Sequence, residues 1–433
     1  MTRTVRLAQW CSALLTVVLL AGAPPVGAQP PTPRPGQPLS LEEAVALALA
    51  QHPVIRAAEG GRAAADARVP QAFSGFLPRV DADAGARRQQ GFQSSIDRFF
   101  TVSNYSTSVT LTQRLYDFGK TGARVDEARA NARASEDELE RVRQEVALNV
   151  KLAYYGLLEA QRLVRVAEAA VERAELNLKS ARGFFEVGIV PKSDVTRAEV
   201  ELANARVGLI RARNAVRLAE TTLANALGIA PPTPIEVQDI LAYEPFVADP
   251  AQLLTEAFRA RPEIRRAQAR VDAARFQVRQ ATADFLPDLN GNASYGATSN
   301  EFPLREVWQL GFTFSWNLFS GFLTQARVKE TRANLDAVRA DLDTLELQVR
   351  LEVDRAWLAL LEAEERIGAT AKGVESAQEL LRLAQGRYAA GVGTILELAD
   401  AQVAVTDAEA DHIRALTDHK TARAQLERAI GQR

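Results

Sequence analysis

The sequence predicts a mainly α-helical fold with a small β part, built from one helix, β-hairpin and long-helix unit that occurs twice. The tripeptide Phe-Leu-Pro at 76–78 recurs at 285–287, 209 positions later. No proline occurs within 119–187 or 321–390, so each of these ranges can form one long helix. Short stretches before both ranges alternate apolar and polar residues, which is the period of a β-strand.

The composition excludes several functional classes. The 433 residues include 52 Lys and Arg against 54 Asp and Glu, and this net charge of -2 offers no attraction for nucleic acid. The single cysteine, Cys11, excludes a disulfide framework and a cysteine-rich zinc site. His412 and His419 share one helix face, but a metal site needs more ligands at closer spacing. The sequence contains no Ser-His-Asp set and no Gly-rich phosphate loop. We therefore expect no enzyme, no cofactor and no bound metal.

The N-terminus has the pattern of a secretory signal peptide over 1–28. Arg3 and Arg6 precede an apolar stretch at 13–20, and small residues at 26–28 form a cleavage site. The following segment, 29–39, is rich in proline, and we expect it to be a disordered lead-in. No later segment has 18 continuous apolar residues, so we expect no transmembrane helix in the mature chain.

The repeated segments define a first copy at 40–228, a linker at 229–248 and a second copy at 249–431. Ala-Arg-Val at 123–125 recurs at 326–328, an offset of 203, and the glycines of the helical segments recur at the same offset. These glycine pairs are Gly183 with Gly386, Gly188 with Gly391, and Gly228 with Gly431. Because the offset changes from 209 to 203 between these anchors, we expect a shorter hairpin loop in the second copy.

Each copy is expected to begin with two short helices. Ser40 and Glu43 form a capping box, which predicts a helix from residue 41. Asp249 followed by Pro250 predicts the equivalent start in the second copy. Pro53 and Pro262 then interrupt each helix and start the next one.

The β-hairpins are predicted at about 79–118 and 288–319. The clearest alternation lies in 307–318, where the apolar residues share one side of the strand. We interpret five of these residues as facing lipid: Trp308, Leu310, Phe312, Phe314 and Trp316. The alternative is a small sheet with one face on a protein core. No other segment supplies that core, and a secretory signal favours the lipid-facing interpretation. Four strands cannot close a barrel, so several chains must contribute strands. Three chains would give twelve, although the sequence does not itself count chains.

The long helices, at about 119–187 and 321–390, carry an apolar heptad pattern. In the first copy the pattern runs from Val150 to Leu178 with alternating spacings of three and four. A sustained repeat of this kind predicts coiled-coil packing. The pattern by itself is equally compatible with a structural rod. The turns predicted at 188–193 and 391–394 send the chain back as a second helix.

Taken together, these features resemble the TolC-like outer membrane factor family. The most specific matching segments are 183–195 and 387–400. The resemblance implies a homotrimer, with a 12-stranded β-barrel in the outer membrane of a Gram-negative bacterium. The barrel would continue as an α-helical coiled-coil barrel through a large periplasmic part. The implied function is the passive exit duct of a tripartite efflux pump or type I secretion system. Its partners would be outer-membrane lipid, a periplasmic adaptor (membrane fusion) protein, and an inner-membrane pump or ABC transporter.

The resemblance also implies roles at the periplasmic tip. Asp194 and Tyr388 match positions of the network that holds the tip closed, while the usual basic partner falls at Gly393. We expect this ionic contact to be weaker, or to use Arg387 or Lys192. Glu397 and Asp400 match acidic positions at the narrow end, and a spacing of three places them on one helix face. In a trimer they would form two carboxylate rings that favour cations.

The two tip turns are the expected adaptor-docking surface. This set consists of Gly188, Ile189, Val190, Gly391, Val392, Gly393 and Thr394. Glycine supplies the tight-turn conformations that such reversals need. A second hypothesis for the whole chain is a soluble periplasmic coiled-coil scaffold, which would use the same helices and a covered sheet.

Overall fold

The computed structural model describes residues 38–93, 95, 97–230, 235–246 and 249–432. The predicted signal peptide (1–28) lies outside the described residues, as do 29–37 of the lead-in and parts of the linker. Within the described ranges, eight α-helices and four β-strands occur in an order that repeats once. The elements are α1 (Leu41–Gln51), α2 (Pro53–Phe73), β1 (Arg79–Gln93), β2 (Arg98–Tyr116), α3 (Lys120–Glu186), α4 (Lys192–Leu227), α5 (Pro250–Ala260), α6 (Pro262–Ala283), β3 (Asp288–Ser299), β4 (Arg305–Ser315), α7 (Leu323–Ala389) and α8 (Ile395–Ala429).

The two long helices organise the rest of the fold. α3 and α7 each contain 67 residues, or about 100 Å at 1.5 Å per residue. In the first copy α2 and α4 pack against α3, and in the second α6 and α8 pack against α7. α3 also contacts α6 and α8, so the copies pack side by side. The heptad residues Val150, Leu157 and Leu360 are fully buried in these contacts. None of the described helices is apolar over a length that could cross a membrane.

The central part of α3 carries the largest apolar core. Ala44 and Leu47 of α1 pack there, together with Leu157 and Leu227. Tyr154 is completely buried, and its hydroxyl lies 2.9 Å from the carbonyl oxygens of both Leu39 and Gln238. Because a buried hydroxyl needs a partner, this contact fixes the lead-in and the linker to the long helix.

The repeat extends to the backbone conformation of its glycines. Gly188 and Gly391 have φ of 77° and 74°, and Gly228 and Gly431 have φ of 73° and 86°. These angles lie in the left-handed region that favours glycine. Gly228 ends α4 beside His52, and Gly431 follows α8 beside Arg261, the two residues between the short helices of each copy. The end of each copy therefore closes onto its own beginning.

The four strands form one antiparallel sheet in the order β1-β2-β3-β4, so β2 and β3 join the two copies. The outer sides of β1 and β4 have no neighbouring strand in the described chain. β4 ends at Ser315, although the alternation in the sequence continues to Leu318. Ser315 pairs with Asp288, the first residue of β3. Pro287, the residue before Asp288, has no N–H to extend the ladder between the two strands. This explains why β4 ends before the alternation does.

We expect Gly431→Ala to lower the free energy of unfolding by about 1–3 kcal/mol. An added Cβ would lie 2.9 Å from the backbone of Ala260 and Arg261, at a φ that alanine rarely adopts. The measurement is chemical unfolding followed by circular dichroism.

Gly368→Ala is the matched control. Gly368 lies inside α7, and no atom lies within 4 Å of an added Cβ. Alanine should therefore raise the stability there by about 0.5–1 kcal/mol. Equal effects of the two substitutions would show that the contact at Gly431 does not constrain the fold.

Candidate functional site

The sheet carries one apolar face that crosses all four strands. Directly paired residues of an antiparallel sheet point to the same side. The register therefore joins the apolar positions predicted for separate strands into continuous rows. One row contains Ala82, Val109, Tyr295 and Trp308, and the next contains Val80, Leu111, Ala293 and Leu310.

The opposite face is polar. Its rows include Asp81, Thr110, Ser294 and Gln309. Trp308 and Phe312 on the apolar face are 77% and 73% exposed, and Leu310 and Phe314 are exposed as well. Leaving large apolar side chains such as these in water is unfavourable, because burying them would gain free energy. The apolar face therefore requires an apolar environment.

Trp316, the fifth of these residues, lies just beyond the strand. It is exposed, and its indole Nε1 donates a hydrogen bond to the carbonyl oxygen of Phe285 at 3.0 Å. The indole ring is therefore held beside the C-terminal end of β4, although Trp316 lies outside the hydrogen-bonded ladder.

Equivalent polar contacts connect the strands to the long helices. In the first copy Asp117 accepts a hydrogen bond from Thr121 N at 2.7 Å, and in the second Ser320 accepts one from Thr324 N at 3.4 Å. Both junctions contain consecutive residues with positive φ, 118–119 and 321–322. The same local arrangement thus precedes the start of each long helix.

At the far end of the long helices, two hairpin tips reverse the chain. Ile189 N donates to Phe184 O at 2.8 Å, and Val392 N donates to Arg387 O at 3.0 Å. Both contacts close a helix end around a left-handed glycine, Gly188 or Gly391. Thr394 caps the N-terminus of the following helix α8, because its side chain accepts a hydrogen bond from Glu397 N at 3.1 Å.

The turn residues are presented to solvent. Ile189 and Val392 are 62% and 68% exposed, and Val187 and Leu396 are exposed beside them. These branched apolar side chains at the ends of the hairpins are therefore not part of a core.

Tyr388 lies between the two tips. It is only 6% exposed, its ring contacts that of Phe184 edge-on, and its hydroxyl forms no hydrogen bond within the described chain. Asp194, Arg197 and Tyr388 line the same cavity of about 460 Å³. Burial raises the pKa of Tyr388, and the nearby carboxylates of Asp194 and Glu201 raise it further. Tyr388 and Asp194 are thus brought together, although no direct hydrogen bond joins them.

The acidic residues of α8 occupy different surroundings. Glu397 accepts a hydrogen bond from Arg387 Nε at 3.4 Å, within the same hairpin. Arg387 is one of the two basic residues expected as alternative partners of the Asp194 and Tyr388 network. In the structure its guanidinium contacts Glu397. Asp400, three residues further along, is exposed.

The structure adds Glu201, which the sequence analysis missed. Its Oε2 is buried and forms no hydrogen bond within the described residues. Burial raises the pKa of the Glu201 carboxyl, Arg197 opposes the rise, and Asp400 of the second copy adds to it. The only signal in the sequence was its spacing of seven from Asp194, which places both on one face of α4.

The two histidines considered as metal ligands lie in separate contacts. His412 Nδ1 lies 3.1 Å from Thr370 Oγ1, and His419 is buried against the ring of Tyr243. In the part of the chain that the structure describes, no group of three or more His, Cys, Asp or Glu residues is placed to hold a metal ion.

A family model described as outer membrane efflux protein matches residues 44–229 and 253–432. The chain belongs to the outer membrane efflux protein family. Protein CyaE of Bordetella pertussis is 29% identical over 91% of this chain and 84% of its own length. Outer membrane protein TolC of Escherichia coli is 24% identical over 88% of this chain and 80% of its own length. The solved structure of the outer-membrane channel OprN matches with a TM-score of 0.81 and 22% identity, covering 91% of this chain and 90% of that chain.

Membership of the outer membrane efflux protein family confirms the resemblance drawn from the sequence. It also confirms the mainly helical fold with its antiparallel β part, and the location in the outer membrane. The protein is therefore an outer membrane efflux protein with a transport function. The roles of individual tip residues remain predictions.

We expect Glu201→Gln to stabilise the tip at neutral pH. The folded-state pKa of Glu201 is raised, so the folded tip holds a proton more tightly than the unfolded chain does. The stability contributed by this proton is complete below the unfolded pKa and is lost as the pH rises through the folded pKa. A neutral glutamine removes that loss.

Amide hydrogen exchange of the tip helices at roughly pH 5 and pH 7, corrected for intrinsic rates, measures the effect. Glu199→Gln is the control, because Glu199 is exposed and paired with Arg182 at 2.8 Å. At the higher pH, slower exchange is expected only in Glu201→Gln. Faster exchange in that variant would mean that the charged carboxylate stabilises the tip.

Proposed function

We propose that the protein is the exit duct of a tripartite efflux pump or type I secretion system. In this proposal three identical chains form a 12-stranded barrel in the outer membrane, and their long helices form a second barrel that continues it. Substrates pass passively from an inner-membrane transporter and the periplasm to the exterior. The continuous apolar face across β1–β4 is the observation that carries the proposal.

The free edges of the sheet support an assembly of several copies. Unpaired backbone N–H and C=O groups are not tolerated in hydrocarbon, so β1 and β4 each need a partner. The four strands alternate in direction. Strand β4 of one chain would therefore lie antiparallel to β1 of the neighbouring chain in the assembly. Three chains supply twelve strands, an even number within the range of known membrane barrels.

The tips supply the proposed docking and gating elements. The exposed turns at 188–190 and 391–394 suit contact with a periplasmic adaptor protein, which would connect the duct to a pump or ABC transporter. Asp194 and Tyr388 lie together between the hairpins, where they can hold the tip closed. Glu397 and Asp400 would line the narrow end.

The alternative hypothesis of a soluble scaffold requires a cover for the apolar face. Within the described residues, the side chains of Trp308 and Phe312 are left largely exposed. A water-soluble protein would expose an apolar surface across four strands at considerable cost. The duct gives this surface the environment that it needs.

We expect Phe312→Arg to prevent assembly in the outer membrane. A cationic side chain on the lipid side of a membrane barrel costs about 2–4 kcal/mol near the bilayer midplane, and it would occur three times per assembly. The measurement is the mass of the membrane-extracted protein in detergent, by light scattering with the detergent subtracted.

Thr313→Arg is the matched control. Thr313 is the next residue of β4 and pairs with Asn290 on the polar face. This variant should assemble as a trimer, because its arginine would face water. Normal assembly of Phe312→Arg, or a wild-type chain that is monomeric and soluble without detergent, would overturn the duct.

We expect Glu397→Gln combined with Asp400→Asn to reduce the preference for cations. Removing two carboxylates from each chain removes the negative potential that attracts cations to a constriction. Reversal potentials of single channels in a KCl gradient measure the change. An unchanged ratio of K⁺ to Cl⁻ permeability would remove both residues from the ion path.

A further inference from the structure

The internal repeat shows which tip residues occupy equivalent positions. At the offset of 203, Asp194 matches Glu397, and Arg197 matches Asp400. Asp194 and Arg197 lie in the first turns of α4, after the left-handed Gly188. Glu397 and Asp400 lie in the first turns of α8, after the left-handed Gly391. The first position is therefore acidic in both copies. The second is basic in one copy and acidic in the other.

Arg197 faces the region between the tips. Asp194, Arg197 and Glu201 are spaced by three and four, so they share one face of α4. Arg197 lines the tip cavity together with Asp194 and Tyr388. Arg197 and Asp400 also act on the pKa of the Glu201 carboxyl with opposite sign, because the cation lowers it and the second carboxylate raises it.

The guanidinium of Arg197 differs from its neighbours on α4 in its pairing. Arg206 lies 2.8 Å from Glu175, and Arg213 lies 3.0 Å from Glu168. No ion pair or hydrogen bond of the Arg197 side chain occurs among the described residues. Its charge therefore acts on the tip carboxylates, including Glu201, without being held in one direct ion pair.

We propose that Arg197 is a specificity-determining residue of the channel, a fixed positive charge that limits the cation preference created by the tip carboxylates. The inference rests on the proposed function, in which the tip is the narrow end of the duct. In a trimer, three Arg197 would alternate with three Asp400 at one level. That level is close to neutral, whereas an arrangement with Asp400 alone would carry three negative charges.

The test is the ratio of K⁺ to Cl⁻ permeability of trimers in a planar bilayer under a KCl gradient. Arg197 is exposed, so Arg197→Gln leaves the packing of α4 intact. We expect the ratio to rise about twofold near 0.1 M salt. The rise should fade near 1 M, where the Debye length falls to about 3 Å.

Arg206→Gln is the matched control, since it removes the same charge from the same helix away from the tip. We expect it to have the wild-type ratio. Arg197→Lys should also retain the wild-type ratio, because it keeps the charge. A rise in Arg197→Lys equal to that in Arg197→Gln would overturn the explanation by charge.

The outcomes separate this inference from the proposed function. If Arg197→Gln leaves the ratio unchanged while Glu397→Gln with Asp400→Asn lowers it, the inference about Arg197 is wrong and the acidic constriction stands. If neither variant changes the ratio, the tip does not control ion passage, and the proposed constriction fails together with the inference.

Discussion

The hydrogen-bonding demand of the sheet edges is the constraint on which the proposed assembly depends. A four-stranded antiparallel sheet leaves one side of β1 and one side of β4 without partners. Water can satisfy those groups, but hydrocarbon cannot. The proposed lipid-facing side of the sheet and edges that cannot enter lipid are compatible only if several chains close a ring. The long helices leave both hairpins through equivalent junctions, so a closed ring of strands also sets the positions of the helices below it.

The duplication explains how one chain serves two equivalent places in such a ring. The strand–helix junctions at 118–119 and 321–322 use the same left-handed backbone, and the tips turn at Gly188 and Gly391 with nearly equal φ. These are backbone requirements, which every copy of the unit must meet. Side chains are free to differ wherever the backbone does not depend on them. The tip uses this freedom, since Arg197 in one copy stands where Asp400 stands in the other.

The tip also combines burial with unsatisfied polar groups. The Tyr388 hydroxyl and one oxygen of Glu201 are buried without partners inside the described chain. Such groups are costly, so they lower the local stability of the region that holds them. Regions of low local stability are the ones that move in gated proteins. A tip built in this way is suited to open without disturbing the core around Tyr154, where the buried hydroxyl is fully paired.

The sequence by itself determined the features that depend on local chemistry. Pro53 and Pro262 start helices because proline has no N–H to donate, and Ser40 with Glu43 caps α1 as a capping box. The alternation in β4 assigned Phe312 to the apolar face, because neighbouring side chains of a strand point to opposite sides. Only the tertiary structure decided which distant residues meet. Glu201 matters because α4 lies beside α8 of the second copy, and β4 ends at Ser315 because Pro287 precedes the first residue of the paired strand β3. Local signals act through covalent geometry within a few residues, whereas these contacts join residues that are far apart in the chain: Pro287 and Ser315 are separated by 28 positions, and Glu201 and Asp400 by 199.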